Sequence, residues 1–477
     1  MKYTMSKLTR ISQIFITFLF IFVLCYVFIP SPSSTRPSEP KKKSKNSTEP
    51  PIPVDNFKYV DGIYQHESDK KCENEDWNMI STSSIPRVKL LRELVKQNVT
   101  ASEGLSDGEL RLLSAYLYPD EIVVTTTRQR PRELGRSVYC RYYDCNRVEI
   151  PDSMFKSFFF PLTAVYCARR AGAHYISLSF GLYDGAPPPI PFVKRLDEKH
   201  SHELGICVGQ IYGFERKWME LVEFVEHHKI IGASMFYFTV FSMDEYSRRV
   251  LDEYVRTGYA EVTNVDTEYT NGLVYIHMIQ VHDCFFRARH HSKWMLNIDH
   301  DEYLVPTRTR FLNYIDSLSS QFSELIFSIR RVRKTDNRIL KEYTTPDDIK
   351  KNVQMAKFNK TADILFSTSK VMVQPTKVEA VLLHWAYGHS PGFRALTVPK
   401  SKVIVNHYRS DTKSSFATIW SNTSMIEVFD KSHVNLLSTK MVQTIEYVFK
   451  KHDINCDTIP YDWKIITEQL LKKMNIC

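Results

Sequence analysis

Residues 205–298 alternate between short apolar runs and longer segments with helical spacing, and this order restricts the fold more than any other feature. The apolar runs have the length of strands and lie at residues 205–212, 235–241, 260–265 and 294–298. The intervening helical segments lie at residues 215–231, 242–258 and 275–290. Strands that alternate with helices form parallel or mixed sheets with helices packed on their faces. The sequence therefore predicts an α/β fold.

Glycines and a polar tetrapeptide mark the ends of these helices. Gly232 and Gly258 follow the first two helical segments and are predicted to end them. The sequence Ser-Met-Asp-Glu at residues 242–245 has the spacing of a capping box, in which Ser242 would cap the second helix.

The acidic sequence Asp-His-Asp-Glu at residues 299–302 follows the fourth predicted strand directly. Ligands bind beyond the carboxyl ends of the strands in open parallel sheets, so these acids are expected at the ligand-binding edge. Asp299 and Asp301 would point the same way on an extended chain, with His300 facing away from both. Because buried carboxylates must be paired or bind a metal, the motif predicts a site for Mg²⁺ or Mn²⁺. A chance Asp-x-Asp triplet is the alternative.

Two common nucleotide-binding motifs, Gly-x-Gly-x-x-Gly and the P-loop, are absent from the sequence. The net charge of +9 is spread along the chain, and the basic run at residues 41–45 has no nucleic-acid-binding motif beside it. Nucleic-acid binding is therefore not expected.

A run of 19 uncharged, mainly apolar residues at positions 11–29 has the length of a transmembrane helix. No small-residue cleavage site follows it, which favours an uncleaved signal anchor over a cleavable signal peptide. Residues 1–10 would then form a cytoplasmic tail. Four glycosylation sequons follow the apolar run and fit a lumenal location for the rest of the chain; they begin at Asn46, Asn98, Asn359 and Asn422.

Eight cysteines follow the apolar run, at positions 72, 140, 145, 167, 207, 284, 456 and 477. An even number suits several disulfides in an oxidising lumen, although the pairing does not follow from the spacing. The lack of a paired Cys-x-x-Cys argues against structural zinc.

Composition and apolar patterns predict how the rest of the chain is divided into segments and domains. Residues 30–55 are rich in Pro, Ser and Lys and are predicted to form a disordered stem. Residues 56–200 are predicted to form a β-rich subdomain, with strands at 121–127, 137–143 and 175–180 and helices at 86–95 and 107–116. The proline-rich run at 186–191 is predicted to be a stiff linker near its end. The α/β domain would occupy residues 201–460, and residues 461–477 a C-terminal helix.

Seven segments between residues 138 and 409 resemble, in the same order, segments of glycosyltransferase family 92. They are VYCRYY (138–143), CVGQIYG (207–213), KWMELVEFVEHH (217–228), GASMFYF (232–238), HDCFF (282–286), KW with IDHDEYL (293–304) and NHYR (406–409). The ordered set is specific, whereas each segment alone is weak. One departure is His300, where an apolar residue is more usual in the family.

The resemblance implies a GT-A-like domain, in which an α/β sheet binds a nucleotide sugar through an Asp-x-Asp metal site. It implies an inverting enzyme that uses Mn²⁺ or Mg²⁺ and a UDP-sugar. Some family members are Golgi-anchored and transfer galactose in β-1,4 linkage from UDP-galactose.

The resemblance also assigns expected roles to particular residues. Asp301 is expected to bind the metal directly, and Asp299 to contact the ribose or to reach the ion through water. GT-A enzymes commonly add a later histidine, for which His407 and His384 are the candidates, with a structural core histidine as the alternative. Arg409 is a candidate phosphate contact, with a surface ion pair as the alternative.

Inversion requires one general base to deprotonate the acceptor hydroxyl. Glu302 and Asp283 are the catalytic candidates, and Glu379 is no better supported. A structural hydrogen bond is the alternative role for Glu302. The polar segment at residues 334–360 is hypothesised to be a mobile lid over the acceptor side.

The predicted function is metal-dependent transfer of a hexose, with galactose expected first, from a UDP-sugar to a glycan. The protein is expected to be a single-pass type II Golgi membrane protein with a lumenal catalytic domain. One alternative is a catalytically inactive glycan-binding family member. The other is a lumenal glycoside hydrolase, whose paired carboxylates would lie about 5–10 Å apart and need no metal.

Overall fold

A computed structural model describes residues 57–60, 63–66, 72, 110–127, 135–197, 199–265, 273–306, 311–335, 340–362, 369–410, 425–427 and 430–450. The predicted tail, anchor, stem, 86–95 helix and C-terminal helix lie outside these ranges. Within them, no helix combines the length and apolar character needed to span a bilayer. The chain forms two compact units, Met1–His66 and Glu67–Cys477. In the first unit, Phe57–Val60 (β1) pairs antiparallel with Ile63–His66 (β2).

The second unit begins with a seven-stranded sheet. Its strands are Leu112–Leu117 (β3), Ile122–Thr126 (β4), Ser137–Tyr143 (β5), Phe155–Phe158 (β6), Ala164–Cys167 (β7), Tyr175–Ser179 (β8) and Ile190–Lys194 (β9). They lie in the order β6-β5-β8-β9-β3-β4-β7. The three strands predicted for this part of the chain are all present.

Two predictions for this region are wrong. The helix predicted at 107–116 is a strand from Leu112 onward, because β3 pairs with β4 on one side and with β9 on the other. Pairing on both sides thus outweighs the local helical spacing. The proline-rich run at 186–191 is not a linker between domains, because it leads into β9, which pairs inside the first sheet.

The predicted strand–helix alternation is confirmed. Its elements are His202–Val208 (β10), Trp218–Ile231 (α1), Met235–Val240 (β11), Glu245–Arg256 (α2), Ala260–Asn264 (β12), Leu273–Ala288 (α3) and Ser292–Ile298 (β13). The four strands are parallel, in the order β12-β11-β10-β13. From β10 the chain adds β11 and β12 on one side and then β13 on the other side. The direction of the strand order thus reverses at β10, and ligands bind at such switch points in open sheets.

The rest of the chain extends this sheet to eleven strands within the described residues. The added strands are Glu302–Pro306 (β14), Phe322–Lys334 (β15), Lys360–Ala362 (β16), Ser369–Val373 (β17), Arg394–Thr397 (β20), Val403–Ser410 (β21) and Met425–Glu427 (β22). A separate hairpin consists of Val378–Val381 (β18) and Ala386–His389 (β19). The helices are Phe311–Asp316 (α4), Pro346–Asn352 (α5), Gln354–Lys357 (α6) and Lys431–Lys450 (α7). Because β17 runs antiparallel to β13 and β15, the sheet is mixed.

Helices pack on this sheet, and the core consists of apolar residues from both. Buried apolar residues of α1, α2 and α7 pack with those of the sheet in one cluster. Residues of α3 pack in a second cluster with β13 and with Tyr116 and Val123 of the first sheet. Gly232 ends α1 in the left-handed conformation (φ 114°), as predicted. Asp244, not Ser242, caps α2: its side chain accepts from the Ser247 N–H, whereas the Ser242 hydroxyl accepts from the Gly213 N–H.

The structure describes residues 334–335 and 340–360 of the hypothesised lid, and the second half of the segment packs against the core. It contains α5 and α6, and Ile349, Val353 and Phe358 are buried in the main core. The Glu223 carboxylate of α1 accepts hydrogen bonds from the backbone N–H groups of Gln354 and Met355. Residues 349–358 are therefore fixed to the core and do not serve as a mobile lid.

The described residues contain three disulfides, Cys72–Cys145, Cys140–Cys167 and Cys207–Cys284, in agreement with the expectation of several. Cys207 lies in β10 and Cys284 in α3, so this bond joins the helix to the centre of the parallel strands. Cys456 and Cys477 lie outside the described residues.

Replacing both Cys207 and Cys284 with alanine should lower the free energy of unfolding by about 2–5 kcal/mol, because the bond closes a long loop in the unfolded chain. It should also speed amide hydrogen exchange within α3. The double replacement of Cys140 and Cys167, which lie in the first sheet, is the matched control. Equal exchange in α3 for the two double variants would show that the Cys207–Cys284 bond does not hold this helix.

Candidate active site

The two aspartates of the Asp-x-Asp motif lie in the turn that joins β13 to β14. The Glu302 N–H donates to the Asp299 carbonyl (3.0 Å) and closes the turn. The expected extended conformation is therefore wrong, because β14 leaves β13 to pair with β21 instead. The turn gives the two carboxylates different neighbours. His300 contacts Glu220 (3.7 Å), on α1.

Asp299 is held by a buried lysine. Its carboxylate lies 2.9 Å from the Lys370 ammonium group, which also lies 2.8 Å from Glu302. The Glu302 carboxylate in turn accepts from the Asp299 N–H (2.8 Å). Only 8% of the Lys370 side chain is exposed, and none of Glu302. The three groups therefore form one closed network.

Burial and neighbouring charges shift the pKa values of these three groups in opposite directions. Burial would raise the pKa of Asp299, but the adjacent Lys370 ammonium lowers it below the usual value. Burial raises the pKa of Glu302 despite the same ammonium group. Burial disfavours the charged form of Lys370, but Asp299 and Glu302 outweigh it and raise the pKa of the lysine. An ammonium between two carboxylates thus keeps Asp299 ionised.

Asp299 has room at this position because the residue that faces it is a glycine. Gly209, at the end of β10, faces Asp299, and a Cβ atom on Gly209 would collide with the Asp299 carboxylate. Glycine is therefore required for space at this point.

Asp301 faces a histidine and an arginine from β21. Its carboxylate lies 3.4 Å from His407 Nε2 and 3.8 Å from the Arg409 guanidinium. His407 stands opposite Glu302 in the β14–β21 ladder, and its Nδ1 lies 3.3 Å from the Glu302 carboxylate. Burial opposes ionisation of Asp301, but the charge of His407 and its neighbours holds the pKa of Asp301 far below the usual range. Burial likewise disfavours protonation of His407, yet Asp301 and Glu302 raise its pKa.

A cavity of about 220 Å³ opens beside these residues. We group its lining residues by charge, and the charged group, called the charged side, consists of Asp299, Glu302, Arg331, Lys370, His407 and Arg409. The uncharged group, called the neutral side, consists of His277, Gln280, Asn297, Leu383 and His384. Ile329 completes the lining. The cavity is smaller than the pockets of roughly 300–1,000 Å³ that enclose drug-sized ligands, so it would hold part of a nucleotide sugar.

The residues present fit a divalent ion that is shared with a substrate. His407 Nε2 is buried, makes no hydrogen bond of good geometry among the described residues, and lies 3.4 Å from the Asp301 carboxylate. The Glu302 carboxylate supports the opposite ring nitrogen, which is the usual arrangement of a metal-binding histidine. No group of three or more metal-binding side chains occurs in the described part of the chain. Water and phosphate oxygens would fill the remaining positions, as is common for Mg²⁺.

The other predicted site residues are divided between the cavity and the core. His384 lines the neutral side and contacts the Ser369 carbonyl through Nδ1 (2.6 Å). Asp283 lies in α3 outside the cavity lining, where it accepts hydrogen bonds from the hydroxyls of Tyr116, Thr125 and Thr263. Glu379 lies in β18, also outside the lining. The contacts of Asp283 favour a structural role.

Sequence reasoning missed Lys370, Gln280 and Asn297. Lys370 lies 71 residues beyond Asp299, so no local spacing connects them. The one available signal was a lysine in the short strand SKVMV, since a lysine that leads directly into an apolar strand needs a carboxylate partner when it is buried.

Replacing Lys370 with methionine should lower the free energy of unfolding by about 3–5 kcal/mol at neutral pH, because two buried carboxylates lose their counter-charge. The lowered pKa of Asp299 contributes stability above its unfolded-state pKa, and this contribution is lost as the pH falls. The loss caused by the substitution should therefore shrink as the pH falls below about 4, the unfolded-state pKa of an aspartate, as followed by urea unfolding.

Lys293→Met is the matched control, because Lys293 forms an exposed ion pair with Glu203 (2.8 Å). Such a pair contributes about 1 kcal/mol or less. A loss for Lys370→Met that equals the control, or that stays constant with pH, would contradict the assigned network.

Among solved structures, S. aureus TarS residues 1–349 matches with 8% identity over 55% of this chain and 77% of that chain, at a TM-score of 0.26. The same TarS fragment in complex with UDP-GlcNAc matches with the same values. This degree of similarity supports no conclusion about the present chain. The search of curated proteins found no match.

A family model gives the decisive result. The model of glycosyltransferase family 92 matches residues 202–446, which is slightly more than half of the 477 residues. The matched region begins at β10 and includes the Asp-x-Asp turn, Lys370, His407 and Arg409. The chain therefore belongs to glycosyltransferase family 92.

Proposed function

We propose that this protein is an inverting, metal-dependent glycosyltransferase that moves a hexose from a UDP-sugar to a glycan. Family membership supports glycosyl transfer as the reaction class. The observation that supports a metal-bound nucleotide sugar is the buried Nε2 of His407, which lies 3.4 Å from the Asp301 carboxylate at the switch point of the parallel strands. We further propose that the eleven-stranded sheet and the helices packed on it form a GT-A-like nucleotide-binding domain.

The reaction is a single displacement at the anomeric carbon of the sugar. The acceptor hydroxyl oxygen forms a bond to this carbon as the bond to the diphosphate oxygen breaks, and UDP leaves with the bonding electron pair. The hydroxyl proton passes to a general base, and attack from the opposite face inverts the configuration. A divalent ion, when bound, neutralises charge on the diphosphate. Asp301 and His407 would hold it.

Other residues of the charged side have supporting roles in this proposal. Arg409 is 56% exposed and lies beside Asp301, which suits a guanidinium that contacts phosphate. Glu302 orients His407, because its carboxylate lies against Nδ1 and is otherwise occupied by Lys370. Asp299 is committed to Lys370 and would therefore reach the ribose or the ion through water. Neither Glu302 nor Asp283 is proposed as the general base, because both carboxylates are engaged in buried contacts.

We also propose a lumenal catalytic domain on a single-pass type II Golgi anchor. The three disulfides favour an oxidising compartment, and the apolar run at residues 11–29 has the length of an anchor. Galactose is the sugar we propose first, on the basis of family resemblance.

The enzymatic proposal is tested by a donor screen of the full-length chain with UDP-galactose, UDP-glucose and UDP-N-acetylhexosamines, with and without Mn²⁺. We expect transfer that EDTA abolishes, with UDP-galactose the best donor. Asp301→Ala should lower kcat/KM by at least about 100-fold, because the diphosphate charge is no longer neutralised. Circular dichroism should show that this variant remains folded.

Asp347→Ala is the matched control, because Asp347 is an exposed aspartate of α5 whose side chain is 77% exposed. Wild-type activity in Asp301→Ala would show that the metal site is wrongly assigned. Absence of turnover with every donor would instead favour a catalytically inactive family member, and EDTA-insensitive cleavage of glycosides would favour a hydrolase.

The topology is tested by protease protection of microsomes from cells that express the full-length chain. We expect the region beyond residue 30 to resist protease until detergent opens the vesicles, and Golgi markers to co-localise with it. Digestion of this region in intact vesicles would contradict a lumenal catalytic domain.

A further inference from the structure

The neutral side of the cavity contains a buried amide without a partner. Gln280, on α3, is 1% exposed and lines the cavity. Its Nε2 has no hydrogen-bond partner among the described residues. A buried donor left unpaired costs about 1–3 kcal/mol, so folded proteins rarely keep one without a reason. In a cavity wall, the simplest reason is a ligand that supplies the acceptor.

Two neighbours on the neutral side also have hydrogen-bonding capacity to spare. Asn297 is 4% exposed, and its amide reaches the Leu383 carbonyl only at 3.5 Å, which is long for a hydrogen bond. The Nδ1 of His384 lies against the Ser369 carbonyl, and a carbonyl only accepts, so Nδ1 holds the proton. The Nε2 of His384 is then an acceptor. Burial lowers the pKa of His384, which keeps the ring neutral.

This mixture of uncharged donors and acceptors suits hydroxyl groups, which both donate and accept. Phosphate oxygens only accept, and they would be drawn to the lysine and arginines of the charged side. The neutral side therefore matches the sugar of a nucleotide sugar better than its diphosphate.

Depth within the fold separates the transferred sugar from the acceptor. Gln280 and Asn297 are almost fully buried, with 1% and 4% of their surfaces exposed. Trp385, next in the chain to His384, is 44% exposed. An acceptor glycan approaches from the exposed side, so the deep amides are placed for the donor sugar.

We propose that Gln280 is a specificity-determining residue, whose amide donates a hydrogen bond to a hydroxyl of the hexose in the UDP-sugar. Asn297 and His384 complete the hydroxyl-binding side. This inference rests on the proposed function and adds to it the residue that recognises the sugar. Discrimination follows because an epimer would leave the buried Gln280 amide unpaired.

The test is isothermal titration calorimetry of the full-length chain and its Gln280→Leu variant with Mn²⁺ present. The titrants are UDP, UDP-galactose, UDP-glucose and UDP-N-acetylglucosamine. The hexose nucleotide that the wild type binds best should bind the variant about 10–100-fold more weakly, the range for one lost buried hydrogen bond. The Kd of UDP should not change. The Tm of the ligand-free variant should be unchanged or higher, because leucine removes an unpaired amide.

Gln354→Leu is the matched control, a buried glutamine outside the cavity lining whose Nε2 donates to Glu220 (3.3 Å). This control should lower Tm and leave the difference in affinity between UDP and the UDP-hexose unchanged. A Gln280→Leu variant that binds UDP and the UDP-hexose with equal loss, or with none, overturns the inference while nucleotide binding stands. Failure of the wild type to bind UDP overturns both the inference and the proposed function.

Discussion

The ammonium group of Lys370 holds the acidic end of β13 in place, and the candidate site depends on it. It lies within 2.9 Å of both Asp299 and Glu302, in a position almost closed to water. Two buried carboxylates so close together would otherwise repel each other and become protonated. With the lysine in place, Asp299 remains ionised, and Glu302 is fixed where it can support His407. The position of the metal-binding pair thus follows from one long-range ion-pair network.

Much of the fold was predictable because its elements follow local patterns. The strand–helix alternation from β10 to β13 was found from apolar spacing, and Gly232 marked a helix end. The errors occurred where tertiary pairing outweighed local preference. Leu112–Leu117 became a strand because two neighbours pair with it, and the helix Gln354–Lys357 is fixed because Glu223 binds the backbone at its start.

The candidate site was predictable only in part, and for the same reason. Asp301 and His407 were named from the sequence, and the β14–β21 ladder brings them together. The turn at residues 299–302 was not foreseen, because it results from β14 joining β21, a pairing across about a hundred residues that the register shows. Lys370 and Gln280 have no motif of their own, so only the folded structure relates them to the aspartates. Asp283 had the right residue type, but its three hydroxyl partners mark it as structural.

The cavity combines a charged side suited to a metal-bound diphosphate with a neutral side suited to a sugar. The central claim is that Asp301 and His407 act together on one ion. A double-mutant cycle on the Mn²⁺-dependent affinity for UDP, using Asp301→Asn, His407→Gln and the double variant, tests it most directly. We expect each single substitution to lose about 10–100-fold and the double variant to lose little more, because either change removes the same ion. Independent, additive losses, or full affinity in either single variant, would contradict a shared metal site.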